Sequence, residues 1–173
     1  MPERSSLPPG EACREQALRL LDRRAHSVAE LRRKLRVRGF AAPAIDTVLD
    51  DLQRRGLVDD TAFAAAWIEE KRRSSRPVGR LRIQAELRRR GVTPDAIAAA
   101  EPAAGPAPDE AEEELGRALA ALRQKLKSRR PAGDPRAERA RLSRFLAQRG
   151  FTGDIVRKAM EQIGGQDDSP DAG

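Results

Sequence analysis

Apolar residues recur along this chain at the three- and four-residue spacing of amphipathic helices, and the pattern itself occurs three times. Residues 27–52 contain the first copy, and residues 83–100 and 142–160 contain the others. The positions that match across the copies are Leu31, Ile83 and Leu142; Leu35, Leu87 and Leu146; and Gly39, Gly91 and Gly150. A fixed internal repeat of this kind predicts similar units stacked in series.

Each copy is predicted to consist of a helix, a glycine stop and a second helix. Ser27 and Glu30 have the spacing of a capping box, in which a hydroxyl and a carboxylate each bind a free backbone N–H. Gly39 follows a basic turn, where a left-handed residue often ends a helix. Pro43 suits the first turn of the next helix. This second helix carries an apolar stripe made of Ile45, Val48, Leu49 and Leu52.

A further helix precedes each pair, so that one repeat is a bundle of three short helices. In the first repeat this helix is expected between Glu11 and Arg24. Such a small bundle buries little apolar surface, and stacking against its neighbours is the expected remedy. No segment alternates with the period of a strand, so the predicted fold is all-α, with three tandem three-helix repeats in an elongated, curved molecule. The predicted boundaries are a disordered segment at 1–10, repeats at 11–58, 59–101 and 109–163, a linker at 102–108 and a disordered tail at 164–173.

Composition narrows the class of protein. Apolar residues make up 39% of the chain and aromatic residues only 3%, so the cores must be built from aliphatic side chains. No apolar run approaches the roughly 20 residues of a membrane span, and the polar, proline-rich start does not resemble a signal peptide. The single cysteine fits a reducing compartment. A cytoplasmic protein without membrane association is expected, and we predict a monomer.

The net charge of +7, carried mostly by arginine, indicates an acidic partner, because the guanidinium group binds phosphate and carboxylate in the same forked geometry. A GC-rich genome would also favour arginine over lysine, but it would not explain the positive excess. Any single basic cluster is more often a solvated face than a contact, yet these clusters recur in equivalent helices. The candidate partner- or DNA-binding residues are Arg32, Arg36, Arg72, Arg73, Arg76, Arg80, Arg82, Arg88 and Arg89.

Residues suited to catalysis are sparse, and no enzyme, cofactor or metal site is predicted. His26 is the only histidine and is interpreted as a surface or capping residue, while Cys13 lies on an apolar stripe and is expected in the core. The acidic pairs Asp50–Asp51 and Asp59–Asp60 are interpreted as a solvated face and a helix cap. Neither a metal-ligand spacing nor a glycine-rich phosphate loop is present in the sequence.

The motifs, in this order and spacing, resemble those of the RecX family of bacterial recombination regulators over nearly the whole predicted ordered chain. The resemblance is carried by Ser27, Glu30, Leu31, Lys34, Leu35, Gly39 and Phe40, then by Gly56, Leu57, Asp59, Asp60, Phe63, Ala64, Trp67, Arg76, Gly79, Arg82, Ile83, Glu86, Leu87 and Gly91, and finally by Phe145, Leu146, Arg149, Gly150 and Phe151. It implies an elongated helical modulator that lies in the groove of the RecA–DNA filament. Such a modulator would inhibit strand exchange and RecA ATP hydrolysis, with roles in DNA repair and the SOS response.

Two other functions remain open at this point. The helices at 28–38 and 43–55 could form a helix-turn-helix DNA-binding module, although Asp46, Asp50 and Asp51 on the second helix would oppose phosphate. Weak, non-specific and strongly salt-dependent DNA binding is therefore expected. The chain could also be a helical scaffold for another acidic protein, and only the family resemblance separates that function from filament regulation.

Overall fold

The computed structural model describes residues 8–101, 108–127 and 134–164, which form nine α-helices and no strand. The all-α prediction is therefore confirmed. The helices are α1 (Pro9–Leu21), α2 (Val28–Val37), α3 (Ala42–Arg54), α4 (Asp60–Arg72), α5 (Arg80–Arg89), α6 (Pro94–Ala100), α7 (Pro108–Lys127), α8 (Pro135–Gln148) and α9 (Gly153–Gly164).

Local sequence determines where most helices begin. The Ser27 hydroxyl accepts the Glu30 N–H at 3.1 Å, which confirms one half of the predicted capping box of α2. Asp59 caps α4, since its Oδ1 accepts two backbone N–H groups of the first turn. Asp60 caps a different helix from its own, because its Oδ1 accepts the Val28 N–H at 2.9 Å.

The ends of the chain differ slightly from the predicted boundaries. Helix α1 begins at Pro9, two residues inside the segment predicted to be disordered, and it ends at Leu21 instead of continuing toward Arg24. The residues after it leave the helix because Arg24 and His26 turn toward a buried carboxylate described below. The predicted linker and tail lie largely outside the described residues.

The chain divides into two compact units. One combines residues 1–66 with 87–100, and its core is an aliphatic cluster from α1, α2 and α3 that also contains Cys13. The other combines residues 67–86 with 101–173, and its core is formed by α7, α8 and α9. The middle three helices contribute residues to both units, so no separate core cluster forms from them among the described residues.

Helices α2, α5 and α8 end in the same way, at an arginine followed by a glycine, which we call the Arg-Gly corner. The three corners are Arg38–Gly39, Arg90–Gly91 and Arg149–Gly150. Each glycine has a left-handed backbone, with φ of 86°, 79° and 82°. In each corner the residue after the glycine donates its N–H to a carbonyl five residues earlier, at 3.1–3.3 Å, as in a Schellman motif.

The Arg90–Gly91 corner is covered by the start of α2 within the first unit. The Ser27 hydroxyl donates to the Arg90 carbonyl oxygen at 2.7 Å, and the Glu30 carboxylate binds the Arg90 guanidinium. A Cβ atom at Gly91 would collide with the Cβ of Ala29. Glycine is therefore required at position 91 for two reasons, the left-handed backbone and the close approach of α2.

The Arg149–Gly150 corner is covered by the start of α5 within the second unit, and here the contact is made by backbone. The Gly79 N–H donates to the Arg149 carbonyl at 2.9 Å, and the Leu81 N–H donates to the Gly150 carbonyl at 3.0 Å. Because the first N–H groups of a helix have no partner within that helix, carbonyls at the end of another helix can satisfy them. A Cβ at Gly79 or Gly150 would overlap the facing backbone.

Replacing the corner glycines by alanine should separate the two roles of these residues. Gly39→Ala should lower the free energy of unfolding by about 1 kcal/mol. The left-handed backbone alone causes this loss, because nothing in the described chain lies within 4 Å of a Cβ at this site. Gly91→Ala should cost about 2–4 kcal/mol, since overpacking against Ala29 adds to the same backbone strain. Urea unfolding of both variants measures the difference, and equal losses would contradict the docking role of Gly91.

Candidate partner-binding surface

The structure places the nine candidate arginines in two groups, one in each compact unit. The first group contains Arg32, Arg36, Arg88 and Arg89, and the second contains Arg72, Arg73, Arg76, Arg80 and Arg82. No observation of the structure tests whether they contact a partner, and that role stays a prediction. Their surroundings do separate exposed arginines from those that hold the chain together.

The first group lies on exposed helix surface. Arg32 forms an ion pair with Asp46 of α3 at 3.1 Å, with both side chains about half exposed. An exposed pair of this kind contributes little stability, so a partner can compete for the guanidinium at low cost. Arg36, Arg88 and Arg89 are exposed in the last turns of α2 and α5, where a cation also complements the helix dipole.

Three arginines of the second group are accessible near the end of α4 and the start of α5. Arg73 pairs with Glu69 one turn earlier at 2.7 Å, and this pair is exposed. Arg76 is exposed in the connection between α4 and α5. Arg82 is half exposed, with a long contact of 3.4 Å to Glu86.

Arg80, by contrast, has a structural role. Its Nε lies 3.1 Å from both carboxylate oxygens of Glu101, and its backbone N–H donates to Glu114 at 2.9 Å. Burial alone would raise the pKa of Glu101, but hydrogen bonds from Arg80 and Gln84 lower it. The guanidinium of Arg80 is thus occupied by a largely buried carboxylate, which leaves it less available to a partner than Arg73 or Arg76.

Arg72 borders a cleft of about 540 Å³ between the end of α4 and the middle of α7. Its guanidinium binds Glu110 at 3.0 Å on the α7 side. The cleft is open to solvent and combines charged side chains with small ones. The residues that line it are Glu69, Arg72, Arg73, Ser74, Pro77, Glu113, Gly116, Arg117 and Ala120.

Arg117 is the residue of this cleft that sequence reasoning missed. Its side chain is only 15% exposed, its Nε finds no acceptor among the described residues, and Glu113 lies 3.8 Å from its Nη1. Burial and the charge of Arg72 lower the pKa of Arg117, and the carboxylate of Glu114 only partly offsets this effect. In the sequence, its role could have been indicated only by its position, because Arg117 is the single cation in the acidic first half of α7. The cleft therefore holds a guanidinium that the described residues only partly neutralise.

Removing the charge of Arg117 should affect stability less than removing that of Arg80. We expect Arg117→Met to change the free energy of unfolding by less than about 1 kcal/mol, because an incompletely paired guanidinium gives up little when it is replaced by an apolar side chain. Arg80→Met should cost about 2 kcal/mol, since Glu101 would lose its main partner. Urea titrations of the two variants provide the comparison. A loss at Arg117 that equals the loss at Arg80 would contradict this assignment.

A second charged cluster surrounds Glu30, which is only 4% exposed. Its carboxylate accepts hydrogen bonds from Arg24 and Arg90, and His26 Nδ1 lies 3.1 Å from it. The interpretation of His26 as a surface or capping residue was wrong, because this side chain is 3% exposed. The reason is tertiary: a carboxylate at the covered Arg-Gly corner needs partners, and the turn after α1 brings His26 to it.

Burial and pairing act in opposite directions on this cluster. Burial alone would raise the pKa of Glu30, but hydrogen bonds from His26, Arg24 and Arg90 lower it to about 2. Burial also lowers the pKa of His26, and the hydrogen bond with Glu30 only partly offsets this effect. Glu30 is thus ionised and His26 neutral near neutral pH. In both groups the native state disfavours proton uptake relative to the unfolded chain.

Acid should therefore destabilise the protein through Glu30. The contribution of this carboxylate is fully present above its unfolded pKa near 4.5 and is lost as the pH falls toward about 2. Urea unfolding between pH 6 and pH 3 should show a smaller loss of stability in Glu30→Gln than in the parent chain. Glu15→Gln removes an exposed pair and is the matched control. If both variants keep the parental pH dependence, the cluster does not govern acid stability.

Other kinds of site receive no support from the structure. Cys13 is fully buried, which confirms its predicted core position, and burial raises the pKa of its thiol. The described residues contain no group of three or more metal-ligating side chains. Nor does the described part of the chain include a helix long and apolar enough to cross a membrane.

The fold and surface define an all-helical protein whose described helices follow the threefold sequence repeat and which carries exposed arginine clusters. Family models match in the same order: "RecX, first three-helix domain" over residues 13–62, "RecX, second three-helix domain" over residues 59–100 and "RecX, third three-helix domain" over residues 112–160. The chain belongs to the RecX family of regulatory proteins.

Individual relatives agree with the family models. The chain is 43% identical over 147 residues to a regulatory protein RecX of Chromohalobacter salexigens, covering 85% of this chain and 90% of the relative. It is 36% identical over 159 residues to that of Pelodictyon phaeoclathratiforme, covering 89% and 92%. The crystal structure of RecX from Lactobacillus salivarius matches with a TM-score of 0.77 over 90% of this chain and 97% of that chain. At 18% identity the last comparison supports the fold alone.

Proposed function

We propose that this chain is a cytoplasmic regulator of the RecA recombinase that binds the RecA–DNA filament and inhibits strand exchange and ATP hydrolysis. The observation that carries the proposal is the match of all three domains, in order, to the domains of a family of regulatory proteins. The exposed arginines add a surface suited to acidic groups. The net charge of +7 is consistent with a chain that binds acidic groups on a partner.

The accessible arginines are the proposed contacts. Arg73 and Arg76 lie on exposed surface, and Arg117 lines the adjacent cleft with a guanidinium whose Nε has no acceptor in the part of the chain that the structure describes. Guanidinium groups bind carboxylates through paired hydrogen bonds, so acidic side chains of filament subunits are suitable ligands. Arg73 and Glu69 both line the cleft, so its surface carries charges of both signs. Such a mixed surface favours a single carboxylate over a run of phosphates as the ligand. DNA binding by the free chain is accordingly proposed to be weak and non-specific.

Inhibition requires that the regulator prefer one state of the filament. A ligand shifts an equilibrium only by the difference between its affinities for the two states. Contacts distributed over three domains could bridge successive subunits and would fit only one spacing between them. A regulator that binds only the spacing of one state would therefore slow turnover without touching the ATP site.

A helix-turn-helix function has less support. The helix that would read DNA is α3, and its surface carries exposed Asp46 and Asp50. Asp51 on the same helix is held by Arg14 and Arg55. Acidic groups on a recognition helix repel the phosphate backbone. A footprint on a defined DNA sequence at physiological salt would favour this alternative.

The chain should inhibit ATP hydrolysis by RecA on single-stranded DNA, and the exposed arginines should be required. In Arg73→Glu/Arg76→Glu we expect the apparent affinity for the filament to fall by about tenfold or more, because two attractive contacts become repulsive. Arg72 is left unchanged, since reversal of its charge would place two carboxylates together at Glu110. The measurements are ATPase inhibition and filament binding at moderate salt.

Arg19→Glu/Arg23→Glu is a matched control for this variant. Arg19 is exposed and pairs with Glu15 one turn earlier, as Arg73 pairs with Glu69. Arg23 is exposed shortly after the end of α1, as Arg76 is after the end of α4. Both variants change the net charge equally, so a general electrostatic effect would weaken both. Absence of ATPase inhibition by the parent chain at several-fold molar excess would refute the proposed function. Equal binding by both variants would refute only the proposed surface.

A further inference from the structure

The three Arg-Gly corners have the same local geometry but different surroundings. Gly91 is covered by the start of α2, and Gly150 is covered by the start of α5. A Cβ at Gly39 would meet nothing within 4 Å in the described part of the chain, and no described donor binds the Arg38 carbonyl oxygen. The corner of the first repeat therefore has the shape of a docking site that the chain fills at its other two corners.

The covered corners show what kind of group fits there. In both cases the occupant is the first turn of a helix, which has N–H groups without partners and a positive dipole end. Gly79 and Leu81 donate backbone N–H groups to corner carbonyls at 2.9 and 3.0 Å. At the Arg90–Gly91 corner the contact comes from side chains, a hydroxyl at the N-cap and a carboxylate three residues later. That carboxylate, Glu30, binds the corner arginine itself.

The surface around the open corner suits an acidic occupant that also carries an apolar group. Val37, directly before the corner, is 81% exposed and is the most exposed large apolar side chain among the described residues. Arg33, Arg36 and Arg38 are exposed around it. Such a patch of one apolar residue among cations complements the first turn of a helix that bears Asp or Glu, where acidic residues are most frequent.

The aligned helix of a second copy, α8, is poorly suited to fill this corner. The repeat alignment gives Ser27, Gly79 and Glu138 as equivalent positions, and the first two begin the helices that cover corners. Helix α8 instead starts at Pro135, four residues before the aligned start at position 139, and the Glu138 N–H is already bonded to the Asp134 carbonyl at 3.0 Å. The extra turn removes the free N–H group that a corner would bind, so head-to-tail stacking of copies ends at the third repeat.

We propose that the Arg38–Gly39 corner is a docking surface for the first turn of an acidic helix on a subunit of the bound filament. The proposal rests on the proposed function, because it identifies the chemistry of one contact with that partner. The helix would place its free N–H groups on the Arg38 carbonyl and a carboxylate against the Arg38 guanidinium. Val37 would be covered by an apolar side chain of the same turn.

The test compares two double variants in binding to RecA filaments on single-stranded DNA. Val37→Asp/Arg38→Glu replaces the apolar and cationic groups of the open corner. Arg55→Glu/Leu57→Asp makes the same change in charge at Gly56, where α3 also ends in a left-handed glycine flanked by an arginine and an exposed leucine. We expect the first variant to weaken binding by about tenfold or more and the second by less than about threefold.

A photo-crosslinking amino acid at position 37 identifies the occupant directly, with position 57 as the control site. The expected crosslink joins position 37 to a RecA residue within the first turn of a helix that contains Asp or Glu. Crosslinks only to DNA, only to another copy of this chain, or to a RecA segment outside a helix start would overturn the corner proposal.

The outcomes separate the two proposals. If the parent chain neither binds nor inhibits the filament, the proposed function fails and the corner proposal fails with it. If the parent chain is active and the two double variants bind equally, only the corner proposal fails. Circular dichroism and urea unfolding of both variants show whether each is folded, and the crosslink from position 37 keeps the test decisive should Val37→Asp/Arg38→Glu not fold.

Discussion

The structure depends on the docking of one helix start against the end of another helix. The last carbonyls of a helix and the first N–H groups of the next have no partners within their own helices, so each can satisfy the other only if the backbones approach closely. The glycines at positions 79, 91 and 150 allow that approach, since a Cβ at any of them would overlap the facing helix. Three short helices bury too little apolar surface to be stable alone. The middle repeat illustrates the consequence, because its residues belong to two compact units that each have a core elsewhere.

Electrostatics reinforces the same contact. Glu30 is buried at the covered corner of the first unit, where Arg24, His26 and Arg90 compensate for the loss of water. A buried carboxylate with a full set of partners stabilises only the arrangement that supplies all of them, and it therefore specifies how the start of α2 meets the end of α5. In the second unit the equivalent contact is made by backbone N–H groups, and the neighbouring charges of Arg80 and Glu101 lie beside it.

The use of so many arginines within the chain limits which of them can serve a partner. Positive net charge attracts acidic surfaces over long distances, but a guanidinium already held by a buried carboxylate gains little from a second one. Arg80 is of this kind, whereas Arg73 and Arg76 are exposed and Arg117 is incompletely paired within the described ranges. A guanidinium without a full set of partners contributes nothing to the free energy of folding. Residues of this kind are commonly kept for function at the expense of stability. The exposed Val37 at an open corner follows the same reasoning, since an apolar side chain gains nothing from lying in water.

The sequence by itself determined the helices, most of their ends and the threefold repeat, because periodicity, capping and the left-handed glycine act within a few residues of each other. The capping hydroxyl of Ser27, the Asp59 cap and the Arg-Gly corners are all local in this sense. Only the tertiary structure decided the roles of His26, Arg80 and Arg117. Their partners or neighbours come from other helices, or from a turn whose direction depends on packing, and no spacing along the chain records such contacts. The charge of an arginine can be read from the sequence, but whether a carboxylate already neutralises it depends on which distant residues folding brings beside it.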